Sequence, residues 1–145
     1  MAGVWLGVDV GTVRVGVAKS DPHGILATPL VTLRRDVAEN SDLLELATLV
    51  VEHDAVGVVV GLPKTLAGTE GPSAQMARDY AEALQPRIAS VPVELYDERL
   101  STTTAQRRLA QAGRSTRKSR SVIDQAAAVV ILQDWLDRLR RPTTG

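Results

Sequence analysis

Three acidic residues are candidates for chemistry, and the first stands where its neighbours would not invite a charge. Asp9 interrupts the apolar run Val4-Trp5-Leu6-Gly7-Val8-Asp9-Val10. Glu98 lies in Asp97-Glu98-Arg99, directly after the short run Val93-Glu94-Leu95-Tyr96. Asp124 follows Ser121-Val122-Ile123 and precedes three alanines, Ala126 to Ala128. A carboxylate taken out of water is costly unless it is paired, hydrogen-bonded or bound to metal. Three of them from separate segments could share a use. Mg²⁺ or Mn²⁺ takes oxygen ligands, a few carboxylates with water and substrate phosphate. Such ions activate water and stabilise the leaving oxygen in an in-line phosphodiester displacement.

Each acid also has a plainer reading. Asp9 could start the turn at Gly11-Thr12, as Asp often does. Asp97 and Glu98 could be a solvated loop; as strand neighbours they face opposite sides, so at most one should point at Asp9. Ser121 to Asp124 fits a capping box, in which the carboxylate serves only the helix start. The alanines after it would equally let a helix approach the sheet and carry Asp124 towards Asp9.

Other chemistries find less support. With only His23 and His53, far apart, a histidine zinc site is not expected. There is no Cys and no Ser in a G-x-S-x-G elbow, so covalent hydrolysis has no nucleophile in view. The stretch Gly61 to Gly71 is glycine-rich with Lys64-Thr65, but the lysine stands three residues after Gly61, not where a phosphate-binding P-loop needs it. It reads as a substrate loop, with Lys64 in a supporting role beside Asp97, or as a connector.

Charge is balanced, 17 basic residues against 17 acidic, which excludes bulk attraction to nucleic acid. The distribution is uneven. Arg99, Arg107, Arg108, Arg114, Arg117, Lys118 and Arg120 follow one another with no acid between them. This stretch is the natural phosphate contact, and Arg14, just beyond Asp9, joins Arg99, Arg107, Arg108, Arg117 and Lys118 as a candidate substrate-binding residue. Residues 113–121, rich in Ser, Thr and charge, read as flexible until substrate arrives.

The elements that must position these residues follow from periodicity. Val4–Val10 and Val13–Ala18 read as strands around Gly11-Thr12, and Ile25–Leu33 as a third whose Pro29 suits an edge. Asp36 and Glu39 are spaced as a capping box for a helix carrying Leu43, Leu46, Ala47 and Val50. Val56–Val60 is a buried strand. Pro72 opens a second helix, which Pro86 ends or kinks. Val93–Tyr96 is a last short strand. Ser101 caps a helix to about Ala112, and Ser121 starts the final one. The order β-β-β-α-β-α-β-α-α predicts an α/β fold: a mixed five-stranded sheet, three strands antiparallel and then parallel additions, flanked by helices.

At 145 residues the chain is sized for one domain, expected over residues 1–139, with 140–145 a loose tail. Phe is absent and aromatics make up 3%, so the core must be built from Val, Leu, Ile and Ala. No run is long and apolar enough to span a membrane and no signal-peptide profile opens the chain, so a cytoplasmic protein without a membrane partner is expected.

Four motifs in order, Gly7-Val8-Asp9-Val10-Gly11-Thr12-Val13-Arg14-Val15-Gly16-Val17-Ala18, then Gly61-Leu62-Pro63 with Gly68-Thr69-Glu70-Gly71-Pro72, then Asp97-Glu98-Arg99-Leu100-Ser101-Thr102, then Asp124-Gln125-Ala126-Ala127-Ala128, resemble the YqgF (RuvX) family. The resemblance runs from Gly3 to Leu139. It implies a RuvC-like ribonuclease H fold, with Asp9, Glu98 and Asp124 as the acidic triad. It also implies a Mg²⁺- or Mn²⁺-dependent nuclease, more an endonuclease than an exonuclease, that matures the 5′ end of pre-16S rRNA. Holliday-junction resolution is the alternative it carries. The implied partners are pre-rRNA or branched DNA, ribosomal precursor particles and a second copy in a homodimer. Two positions depart from the family pattern: Lys64-Thr65-Leu66-Ala67 replaces a Leu-Asn-Met-Asp-like stretch, and Gln125 stands where Ser is common. Two other classes compete. Asp9-Val10-Gly11-Thr12 also resembles the phosphate turn of sugar-kinase and actin-like ATPases, but those close two domains over ATP. A catalytically silent nucleic-acid-binding module would keep the basic stretch and use the acids structurally.

Overall fold

The computed structural model describes residues 3–65, 67–98 and 117–140, with side chains throughout except at 117–122. Its elements are β1 (Val4–Val10), β2 (Arg14–Ser20), β3 (Ala27–Arg34), α1 (Ser41–Glu52), β4 (Ala55–Leu62), α2 (Pro72–Leu84), a 3₁₀ turn (Gln85–Ile88), β5 (Val93–Asp97) and α3 (Arg117–Arg140). One sheet is ordered β3-β2-β1-β4-β5. β1 pairs antiparallel with β2 and β2 with β3, whereas β4 runs parallel to both β1 and β5. This is the expected mixed sheet, with Pro29 on the edge strand beside a register shift, where a missing N–H does least harm.

Period-2 alternation splits the strands between two layers. Leu6, Val8, Val15, Val17, Val58 and Val60 pack under α1 and α2 with Leu43, Leu46 and Leu84. Ala18, Val59 and Tyr96 face the other way, against Ala128, Ile131, Leu132 and Leu136 of α3. Trp5 and Trp135 close the far end of that second layer, their rings 5.5 Å apart. No Phe is needed because a glycine- and alanine-lined sheet lets α3 come close.

Three local expectations are corrected. Asp36 and Glu39 do not open α1: the helix begins at Ser41 behind Asn40, whose left-handed φ of 58° Asn tolerates. Asp36 instead accepts from the Ser41 hydroxyl and from the Glu39 and Ser41 amides, ordering the approach. The final helix starts at Arg117, not Ser121, because Arg and Lys continue a helix readily. Residues 117–121 are therefore helical, and Asp124 sits in the second turn rather than in a capping box. Arg140, counted above with the tail, ends the same helix. The expected helix over 101–112 lies outside the described residues.

Candidate active site

Asp9 is the next-to-last residue of the central strand. Leu6, Val8 and Val10 of β1 pack in the α1/α2 layer, so Asp9, like Gly7 and Trp5, faces α3. Its partner on β2 is Gly16. The β1–β4 register runs to Val8 with Val60, and one step further sets Asp9 beside Gly61. Asp9 thus stands between two positions that carry no side chain.

Both glycines are required by what lies over them. A Cβ on Gly16 would collide with the backbone carbonyl of Asp124. A Cβ on Gly61 would stand 2.9 Å from Glu98 Oε2 and 2.5 Å from Ile131 Cδ1. The backbone of one candidate acid and the carboxylate of another therefore occupy the spaces on either side of the third. The patch lies at the carboxyl ends of β1 and β4, where ligands bind in open α/β sheets. Glu98, one residue beyond β5, is 4% exposed. Tyr96 helps to fix it there: its hydroxyl donates to Asp134 Oδ2 at 2.8 Å, tying the end of β5 to α3. Burial pushes the Tyr96 phenol pKa up, with the Asp134 hydrogen bond adding to the shift and Arg138 opposing it.

Asp124 does not extend freely into this patch. Arg14 Nε donates to its Oδ2 at 2.8 Å, with the two side chains 28% and 23% exposed. Its neighbour Gln125 donates to Thr32 Oγ1 at 2.9 Å, anchoring α3 across β3. As the side chains stand, no three His, Asp or Glu among the described residues form a group that could hold an ion. The acids do supply the hard oxygen donors that Mg²⁺ or Mn²⁺ takes, and the two glycine cradles keep the patch clear of Cβ atoms.

The other expected residues fall as follows. Asp97, the last residue of β5, pairs in register with Leu62 and alternates away from the face that Tyr96 takes. Lys64 is drawn to Glu70, 3.7 Å away, within its own loop. Arg78 grips the same carboxylate through Nε and Nη2, and its hydrogen bond is the main cause of the low Glu70 pKa. Arg14 is on an acid of the patch rather than turned outward as a bare substrate contact. Arg99, Arg107 and Arg108 lie outside the described residues, as do the side chains of Arg117 and Lys118.

Gly16, Gly61, Tyr96 and Gln125 were not singled out as site-building residues from the sequence. A signal existed for the glycines: Gly inside a strand pattern marks a close approach of another backbone.

Architecture and comparison agree on the class of protein. Thermus thermophilus RuvC in complex with a Holliday junction substrate superposes with a TM-score of 0.59 at 12% identity, covering 94% of this chain and 96% of that one. The fowlpox virus Holliday junction resolvase gives 0.52 at 9%, covering 93% and 99%. The fold is the ribonuclease H-like fold of these resolvases. Within it, residues 3–138 match the family described as "RuvX: Holliday junction resolvase", and the chain belongs to that family. A relative from Mycobacteroides abscessus is 58% identical over 136 residues, 94% of this chain and 82% of the relative. One from Mycobacterium ulcerans is 60% identical over 140 residues, 97% and 82%. Both carry the provisional name pre-16S rRNA nuclease.

Proposed function

We propose that this chain is a divalent-metal-dependent endonuclease that processes the 5′ end of pre-16S rRNA. The observation that carries the reading is Asp9 held between Gly16 and Gly61, with the Asp124 backbone over one and the Glu98 carboxylate over the other. The relatives' names support the substrate, and the family supports phosphodiester cleavage. Asp9, Glu98 and Asp124 are the residues that would hold Mg²⁺ or Mn²⁺, whose chemistry is to acidify water and neutralise charge developing on phosphate. Asp9 would contribute a ligand from the central strand. Glu98 would contribute one from a buried position. Asp124 would complete the set from α3, and the helix–sheet contact at Gly16 sets how far its side chain must reach.

Arg14, Arg99, Arg107, Arg108, Arg117 and Lys118 are assigned to the substrate backbone, with Asp97 and Lys64 in support. The nuclease domain includes α3 to Arg140 and works in the cytoplasm on ribosomal precursor particles. Among the described residues no helix is long and apolar enough to cross a membrane. The family's printed description favours one second reading, resolution of four-way DNA, which needs two coordinated cuts and hence a homodimer.

The test is cleavage of matched precursor RNA and four-way DNA with Mg²⁺ or Mn²⁺ by the native chain and Asp9→Asn. The variant should lose cutting by at least about a hundredfold, the scale set by loss of a principal transition-state charge contact, and still bind. Cutting that survives Asp9→Asn would falsify the site. Binding without cutting by the native chain would mark a silent module, and preference for the junction would move the function to DNA.

A further inference from the structure

The ion pair between Arg14 and Asp124 joins residues 110 positions apart in the chain, and neither surface charge nor helix capping accounts for it. Arg14 lies two residues before Gly16 on the same face of β2, and Gly16 is where the α3 backbone touches the sheet. The reach of the guanidinium to Asp124 is therefore set by backbone contact. At about a quarter exposed on each side, the pair can be entered by water and exchanged. It can be released by a stronger cation.

We propose that Arg14 is the resident counter-ion of Asp124, and that a divalent cation binds by taking Asp124 from it. The inference rests on the reading that Asp9, Glu98 and Asp124 hold the ion. In the metal-free chain Arg14 neutralises one carboxylate and keeps three acids from repelling one another at one patch. That accounts for the described acids not forming an ion-holding group as they stand, although the Asp124 backbone and the Glu98 carboxylate lie on either side of Asp9. Cation entry then frees a guanidinium at the rim of the site, beside the place where a phosphate would sit. Arg14 is a positioning residue before loading, and the substrate contact assigned to it belongs to the loaded state. Because the guanidinium must be displaced, it holds cation affinity below what the acids alone would give.

Mn²⁺ binding to the substrate-free protein, followed by calorimetry, gives the test in the native chain, Arg14→Gln, Arg14→Lys and Asp9→Asn. Arg14→Gln should bind Mn²⁺ roughly five- to tenfold more tightly, the range expected for removing a partly exposed competing charge. Arg14→Lys, which keeps the charge, should stay near the native value. Equal or weaker binding by folded Arg14→Gln overturns the proposal. A readout in the native protein covers the case in which that variant does not fold: the Arg14 Nε–H resonance should move as Mg²⁺ is titrated, and a resonance unmoved at saturation overturns it as well. Native Mn²⁺ affinity in Asp9→Asn would instead sink the metal-site reading, so the two failures are distinguishable.

Discussion

The two faces of the sheet are built on different principles. The α1/α2 face is packed with large side chains: Leu6, Leu43, Leu46 and Leu84 are fully buried among valines. Its buried carboxylate among the described residues, Asp42, is surrounded by donors. Arg35 Nη1 reaches Oδ1 at 2.9 Å, the Asp36 amide reaches the same atom at 3.0 Å, and the Tyr80 hydroxyl reaches Oδ2 at 2.8 Å. The Arg35 guanidinium also lies over the Tyr80 ring, 5.0 Å from its centroid. The α3 face sets Gly7, Gly16 and Gly61 under the helix beside Ala18, Val59 and Tyr96, with Asp9 and Glu98 near its strand ends. Asp42 is held by fixed donors on its own face, whereas the Glu98 carboxylate and the Asp124 backbone lie over the glycines that flank Asp9. The contrast teaches that burial alone does not mark a functional acid. Asp42 is more deeply buried than any candidate ligand and is structural.

Leu46→Ala should break the packed face most, costing about 2–5 kcal/mol in urea unfolding. Cleavage per folded molecule should hold. If it falls with stability, the division of labour between the faces is wrong. Gly16→Ala should cost about 1–3 kcal/mol, because the added methyl meets helix backbone and not a side chain that can turn aside. Here cutting should fall further than stability explains, since Asp124 moves with the helix. Tyr80→Phe leaves Asp42 one donor short and should cost about 1–3 kcal/mol with cutting unchanged. Burial first, then the Asp42 hydrogen bond, holds the Tyr80 phenol pKa above its ordinary value of 10.0. Its contribution is therefore whole below pH 10 and lost as pH rises through the folded value, a decline that a pH series of melting curves should show and Tyr80→Phe should remove. The smallest effect concerns Asp36. The Ser41 hydroxyl, then the Glu39 and Ser41 amides, lower its pKa below the ordinary 3.8. Its contribution is present above that pH and lost as pH falls through the folded value, and Asp36→Asn should flatten that acid limb slightly.

Much of this architecture could be read from residue order. The run Val4–Val10, the alternation through Val15 and Val17, the apolar block before Gly61 and the proline at the start of α2 all specify local periodicity, and each gave the expected element. Boundaries held less well where two local signals competed. Ser121 and Asp124 look like a helix start, yet Arg117 to Arg120 are themselves good helix formers and the helix continues through them. Asp36 and Glu39 look like a cap, yet Asp36 serves the turn before the helix.

Asp9 was conspicuous in the sequence because its apolar neighbours make a charge costly, while Glu98 and Asp124 were marked only by their places after a strand and near a helix start. Their surroundings were not legible in the same way. That Gly16 receives the backbone of Asp124, that Glu98 lies over Gly61 and that Arg14 closes on Asp124 are contacts between distant segments. They depend on where α3 comes to rest, and its docking is set by the summed fit of Ala128, Ile131, Leu132 and Leu136 against the sheet. Periodicity along a chain decides which face a residue takes; only packing in three dimensions decides which partner it meets there.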